Sequence, residues 1–284
     1  MSTLPVVDAS APAEPDLSID TTLVANWLTA FLHDELVVRR RISRAVLGLS
    51  GGVDSAVVAY LAVRALGAGN VTAIRMPYRS SSSDSLGDAQ AVIDDLGCET
   101  MTLDISGAVD GYLTLAPDAD GRRRGNVMAR VRMLALFDQS ARLGALPLGT
   151  GNKTERLMGY FTWHADDSPP LNPIGDLYKT QVWALARELG VPRRVVTKAP
   201  SADLEANQTD ETDLGITYRE ADRILALMLA GYPDDRIAVR GHEPEAVALV
   251  RRRVESTHWK RHLPTTAMLS ETSINDYYLR PVDF

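Results

Sequence analysis

Between an apolar run and a helix-forming stretch the chain reads Gly48-Leu49-Ser50-Gly51-Gly52-Val53-Asp54-Ser55. The glycines let the backbone turn until several N–H groups face one concavity, and a helix that follows adds its positive end. Such a cradle suits phosphate. Ser50 and Ser55 add neutral donors, whereas Asp54 would repel a bare phosphate, so an acid at this point implies a Mg²⁺ ion between the two. The Gly-Lys-Ser/Thr ending of a Walker loop is absent. The plainer alternative is a strand-to-helix turn that merely uses glycine, and six matched positions in the expected context weigh against it.

A second loop, Gly149-Thr150-Gly151-Asn152-Lys153-Thr154-Glu155, ends another apolar run. In an open parallel sheet ligands bind beyond the carboxyl ends of the strands, so both loops should face one crevice. Glu155 then becomes a candidate partner for Asp54 in holding the metal. Taken alone, it would pass for an exposed acid in the first turn of a helix.

The elements that must position these loops follow from periodicity. A helix should start near Asp20, a good N-cap, and run through Leu23, Trp27, Phe31 and Leu36. Strands are expected at Ala45 to Leu49, Val71 to Met76, Glu99 to Leu103 and Ala145 to Gly149. Helices are expected at Ala56 to Leu66, Asp84 to Leu96 and Gly125 to Leu143. Strands alternating with helices of this length imply right-handed crossovers, hence an α/β fold with a doubly wound parallel sheet. Beyond Lys179 the pattern turns helical, with helices at Thr180 to Leu189, Tyr218 to Leu229 and Pro244 to Val254. Between them Lys198 to Gly215 reads as a long polar loop, and such loops tend to be lids or binding segments. Residues 1–17 hold three prolines and read as a mobile tail, leaving 18–284 as a single domain.

With Asn172-Pro173-Ile174-Gly175-Asp176-Leu177-Tyr178-Lys179, Pro200-Ser201-Ala202-Asp203-Leu204 and Gly125 to Met133, the two loops resemble the NAD synthetase family in order and spacing, over roughly residues 20 to 263. Ser-Gly-Gly-x-Asp-Ser is that family's version of the pyrophosphatase-loop ATPase signature, whose members cleave ATP between the α- and β-phosphates. The resemblance implies the adenine-nucleotide α-hydrolase-like sheet and amidation of deamido-NAD, nicotinate adenine dinucleotide, to NAD. The route would be an acyl-adenylate, with ATP and ammonia consumed and AMP and pyrophosphate released.

It also implies roles: Gly48 to Ser55 as the ATP cradle, Asp54 and Glu155 as magnesium ligands, and Arg75, Thr150, Lys179 and Ser201 as the rest of the ATP site. Lys179 suits its place chemically, since an ammonium offsets charge building on the leaving pyrophosphate. Arg130 and Lys260 would touch the pyridine nucleotide, and the active form would be a homodimer. Arg122, Arg123 and Arg124 read more simply as the wet face of a helix.

Two stretches depart from the family. Its usual Phe-Thr-Lys-Tyr-Gly-Asp-Gly-Gly, with an acid shortly before Asn-Pro, is here Phe161-Thr162-Trp163-His164-Ala165-Asp166-Asp167-Ser168-Pro169-Pro170, so Trp163 replaces a lysine and Pro170 the acid. Trp259 stands where a His-Lys pair is usual. The indoles are candidates to stack on a pyridine or adenine ring, or to pack on their surroundings. Amidation of the nicotinate mononucleotide, or a non-catalytic adenine-nucleotide module, remain the alternatives.

Composition sets bounds. A net charge of −7 argues against a nucleic-acid partner. No apolar run reaches the roughly 18 residues of a membrane span, and the N-terminus lacks the basic and apolar regions of a signal peptide. Cys98 is the only cysteine, so no intramolecular disulfide can form and a reducing cytoplasm is the expected compartment. It reads as a small buried residue, in a setting unsuited to a glutaminase nucleophile. The length leaves no room for a glutaminase domain either, so free ammonia or a separate protein should supply nitrogen.

Overall fold

The computed structural model describes residues 15–201, 209–262, 265–267 and 269. The tail expected over residues 1–17 lies outside them as far as residue 14, and Leu17 belongs to the fold: its carbonyl accepts from Gln181 Nε2 at 3.1 Å. Asp20 caps α1 (Thr21–His33), accepting from Leu23 N at 2.9 Å. The chain then widens into a π turn, Asp34–Arg39, instead of continuing as the expected α-helix to Leu36. The wider turn keeps Leu32 and Leu36 both fully buried while Arg39 and Asp34 pair in solvent.

Four parallel strands follow in alternation with helices: β1 (Ala45–Gly48), α2 (Val53–Leu66), β2 (Val71–Arg75), α3 (Ser83–Leu96), β3 (Glu99–Thr102), α4 (Ser106–Leu113), α5 (Gly121–Leu143) and β4 (Leu146–Pro147). The spatial order is β3-β2-β1-β4. The winding therefore reverses beside β1, which opens a crevice past the carboxyl ends of β1 and β4.

The sheet is covered on both faces, so its central strands are mostly apolar, with Thr72 and the terminal Arg75 of β2 as the exceptions. Ala45, Leu47, Val71 and Ala73 pack with α1, α2 and α7 (Lys179–Leu189). Val46 and Ile74 point the other way, onto Leu136 of α5 and onto Ala145. β4 is shorter than the expected Ala145 to Gly149, because Ala145 N–H closes α5 on Ser140 and Pro147 has no N–H to give. α5 also starts earlier than Gly125, since Asp120 caps it through Arg123 N at 2.7 Å. This puts Arg122 to Arg124 on its exposed first turn.

The rest is helical: α6 (Lys153–Met158) before α7, then α8 (Arg193–Thr197), α9 (Asp210–Leu214), α10 (Tyr218–Leu229), α11 (Asp234–Ala238) and α12 (Pro244–Ser256). A second apolar cluster forms from Met158, Leu214, Tyr218, Ile224, Val247 and Val250. Trp183 of α7 packs against both clusters. The expected loop from Lys198 to Gly215 thus contains a helix, α9, which Thr209 caps through Thr212 N; its residues 202–208 lie outside the described part. No described helix is long and apolar enough to cross a membrane.

Candidate active site

The chain leaves β1 at Gly48 and enters α2 at Val53, so Asp54 and Ser55 stand on the first turn of that helix. In the turn, Ser50 and Ser55 hydroxyls lie 3.1 Å apart, Gly52 N–H donates to Ser50 Oγ at 3.2 Å and Ser55 Oγ donates to Gly52 O at 3.0 Å. Gly51 sits at φ +82, and a Cβ there would lie 2.2 Å from the backbone oxygen of Ser85. Gly51→Ala therefore meets left-handed strain of about 1–2 kcal/mol and a backbone clash together. It is expected to lower the urea midpoint and to weaken nucleotide binding measured by calorimetry.

The second loop ends at α6, where Asn152 and Glu155 form a reciprocal cap: Asn152 Oδ1 accepts from Glu155 N at 2.9 Å and Glu155 Oε2 accepts from Asn152 N at 3.1 Å. The remaining donor of Asn152, Nδ2, reaches Asp54 Oδ1 at 3.0 Å. Asn152 is fully buried and joins the two strand-end loops directly. Asn172 holds the same loop from below, giving Nδ2–H to Gly151 O at 2.7 Å.

Lys179, the first residue of α7, closes the arrangement. Its ammonium is 2.5 Å from Asp54 Oδ2 and 3.4 Å from Glu155 Oε1, with 2% of the side chain exposed. The Tyr218 ring lies 4.9 Å away. Burial works to lower the Lys179 pKa, but Asp54 and then Glu155 hold it above its ordinary value. Asp210 of α9 adds a third acid, accepting from Tyr218 OH at 3.0 Å and Tyr160 OH at 3.2 Å. Two carboxylates thus hold one ammonium, and a third adds its field from further off.

Burial pushes Glu155 up, Lys179 pulling it down and Asp54 adding to the rise. Asp210 is also raised by burial, against the pull of Lys179 and the two phenols. A native carboxyl with a raised pKa contributes stability at low pH and loses it as pH rises past the ordinary carboxylate range. Glu155→Gln keeps the acceptor for Asn152 N–H and drops the charge. Without divalent ions it should therefore melt several degrees above wild type at alkaline pH, a gap that closes toward pH 5 in thermal melts.

The other residues singled out divide into two groups. Arg75 ends β2 with Nη1 2.5 Å from Gln90 Oε1 and a buried Nε lacking a partner. Thr150 is half-buried in the second loop and Ser201 is exposed. The four substrate candidates gather past the far end of α6. Arg130 Nη2 donates to Trp163 O at 3.2 Å, and the Trp163 and Trp259 rings meet edge to face at 5.1 Å. Lys260 directs its ammonium at carbonyls, Gly159 O at 2.7 Å and Phe161 O at 2.5 Å.

Asn152, Tyr160, Asp210, Tyr218 and Asp222 are absent from the sequence-derived set. Asn152 was readable, since Asn followed three residues later by Glu is a capping signature. The others join the site through tertiary contacts, Tyr160 meeting Asp210 across 50 residues of chain and Asp222 meeting Thr154 across 68, and local spacing carries no sign of them. Among the described residues no three His, Cys, Asp or Glu side chains group as a self-sufficient metal cage. Asp54 and Glu155 instead form an open pair of hard oxygen donors carrying more negative charge than Lys179 offsets, which suits a hard divalent cation completed by phosphate.

Comparison with known proteins agrees with this architecture. A family model described as NAD synthase matches residues 24–264. The NH(3)-dependent NAD(+) synthetase of Trichlorobacter lovleyi is 49% identical over 260 residues, covering 91% of this chain and 95% of that protein. Among solved structures, the NMN synthetase from Francisella tularensis superposes with a TM-score of 0.79 at 31% identity, covering 88% of this chain and 99% of that one. The NH3-dependent NAD synthetase from Campylobacter jejuni, in complex with the nitrate ion, gives 0.76 at 30% identity, over 88% and 100%.

Proposed function

This chain belongs to the NAD synthase family, and from that membership we propose that it converts deamido-NAD, ATP and ammonia to NAD, AMP and pyrophosphate. The observation that carries the reading is the Asp54–Lys179–Glu155 cluster set at the winding reversal of the sheet, beside the glycine turn. A nicotinate carboxylate oxygen attacks the α-phosphorus, the bond from that phosphorus to the bridging oxygen breaks, and pyrophosphate departs. Ammonia then attacks the acyl carbon of the adenylate, AMP leaves with the C–O electrons, and the nitrogen sheds a proton. No side chain forms a covalent bond, so rate comes from placement and charge.

The turn from Gly48 to Ser55 holds the phosphates, through its N–H groups and the hydroxyls of Ser50 and Ser55. Lys179 lies against charge that grows on the leaving group. Asp54 and Glu155 are fitted to hold Mg²⁺, which when bound neutralises the pyrophosphate. Arg75, Thr150 and Ser201 complete the ATP site. Arg130, Trp163 and Trp259 bound the acid substrate, and Lys260 braces the backbone turn that presents Trp163. In this reading 18–284 act as one domain, in a cytoplasmic homodimer.

The resemblance to an NMN synthetase structure favours one competing reading, amidation of the mononucleotide. Protein incubated with ATP, Mg²⁺, ammonium and either acid should form NAD from the dinucleotide with equal AMP and pyrophosphate. Faster turnover of the mononucleotide would move the assignment there. ATP binding without turnover of any carboxylate would reduce the protein to a nucleotide-binding module.

A further inference from the structure

Asp222 is fully buried on α10, yet among the described residues no cation pairs with it directly. A carboxylate there is costly unless its oxygens are satisfied, and three donors satisfy them. Thr154 Oγ donates to Oδ1 at 2.5 Å; Thr180 N–H and Thr180 Oγ donate to Oδ2 at 2.9 and 2.7 Å. Each donor adjoins a residue of the candidate site. Thr154 precedes Glu155 and Thr180 follows Lys179. Thr154 Oγ also accepts the backbone N–H of Lys179 at 3.0 Å.

Two rungs therefore join α6 to α7. One is the contact of the Glu155 carboxylate with the Lys179 ammonium; the other is the relay from Lys179 N–H through Thr154 Oγ to Asp222. We infer that Asp222 is a positioning residue for the ligase reaction, which fixes the register of Lys179 against Glu155 and Asp54 by clamping the first turns of α6 and α7 to α10. An apolar residue of similar volume would fill the space and leave three donors without acceptors. Asparagine keeps the shape but turns an NH₂ toward one hydroxyl. Thr180 N–H cannot reverse, so the amide must face Thr154, whose own proton then has no acceptor while its oxygen is asked to accept twice.

The inference rests on the ligase reading for its kinetic consequence and on geometry alone for its structural one. Supporting partners of this kind are typically worth 10–100-fold in activity. Asp222→Asn is expected to lower kcat for NAD formation about 10–100-fold, with the KM for ATP changed less than about threefold. In ¹⁵N-labelled, nucleotide-free protein, the slowly exchanging ammonium resonance of Lys179 should shift or broaden. Thr154→Val should behave alike, and Thr154→Ser, which restores the hydroxyl, should return both kcat and the resonance toward wild type.

Should Asp222→Asn fail to fold, the Thr154 pair decides. A folded Asp222→Asn with wild-type kcat and an unmoved Lys179 resonance, or a Thr154→Ser as impaired as Thr154→Val, would overturn the inference and leave Asp222 as a tie between helices. A wild-type protein that forms no NAD would sink the ligase reading instead, and the Lys179 resonance would still report whether Asp222 holds that side chain.

Discussion

Asp54→Asn is expected to stay folded and to form NAD at least about 10³-fold more slowly, the scale of losing a preorganised charge at the reacting phosphate. The substitution is nearly isosteric, and Asn152 can still donate to the remaining oxygen from 3.0 Å. What disappears is the charge beside Lys179 and one of two hard oxygen donors. The fold should tolerate this, because Lys179 keeps the Glu155 carboxylate as a partner at 3.4 Å, and without Asp54 that carboxyl loses a neighbour that raises its pKa. Steady-state NAD formation together with a thermal melt checks both halves. Turnover like that of wild type would remove Asp54 from the metal site, and collapse of the melt would show that its role is structural.

Lys179→Met is expected to fail differently. It deletes the one cation that the described residues place beside Asp54 and Glu155, and breaking a buried pair by removing one partner costs about 3–5 kcal/mol. Glu155 and Asp210 can escape part of that cost by taking up protons, so their native pKa values, already raised by burial, rise further above the unfolded ones. By the sign of the linkage, the variant is then relatively stable at acid pH and loses stability as pH rises through those elevated values. Melts of Lys179→Met and wild type should nearly coincide near pH 5 and diverge toward pH 9, with turnover absent throughout. A pH-independent difference would mean that Lys179 is not the charge holding these acids together.

The two substitutions separate roles that a list of polar residues would merge. On these expectations Asp54 would serve the chemistry alone, whereas Lys179 would serve both the chemistry and the stability of the fold. Burial decides the matter, since with 2% of its side chain exposed Lys179 has no access to water that would otherwise absorb its loss.

Much of this was legible in the chain itself. Alternating apolar runs and amphipathic stretches imply the parallel sheet, and the glycine turn with Asp54 stands where a strand must meet a helix. The loop ending in Glu155 sits across the winding reversal, as expected. Boundaries were less legible. Leu36 falls on a π turn because side-chain packing, invisible to periodicity, selects the wider spiral, and β4 starts late because the Ser140 carbonyl captures the N–H of Ala145. Lys179 is at a helix start, where its charge opposes the dipole, and only the folded chain shows the acids that outweigh this. Asp210 and Asp222 gave no local signal, since their partners are far apart in sequence and their burial follows from how α9 and α10 pack against α6 and α7.

Trp183 carries a further consequence. Its indole is shared by the sheet-side core and the C-terminal helical core, and it lies on the same helix that begins with Lys179. α7 therefore works as a crossbeam. Repacking at Val247 or Val250, in the cluster that Trp183 packs against, is expected to reach the Lys179 ammonium through α7 while every residue in the cleft stays the same.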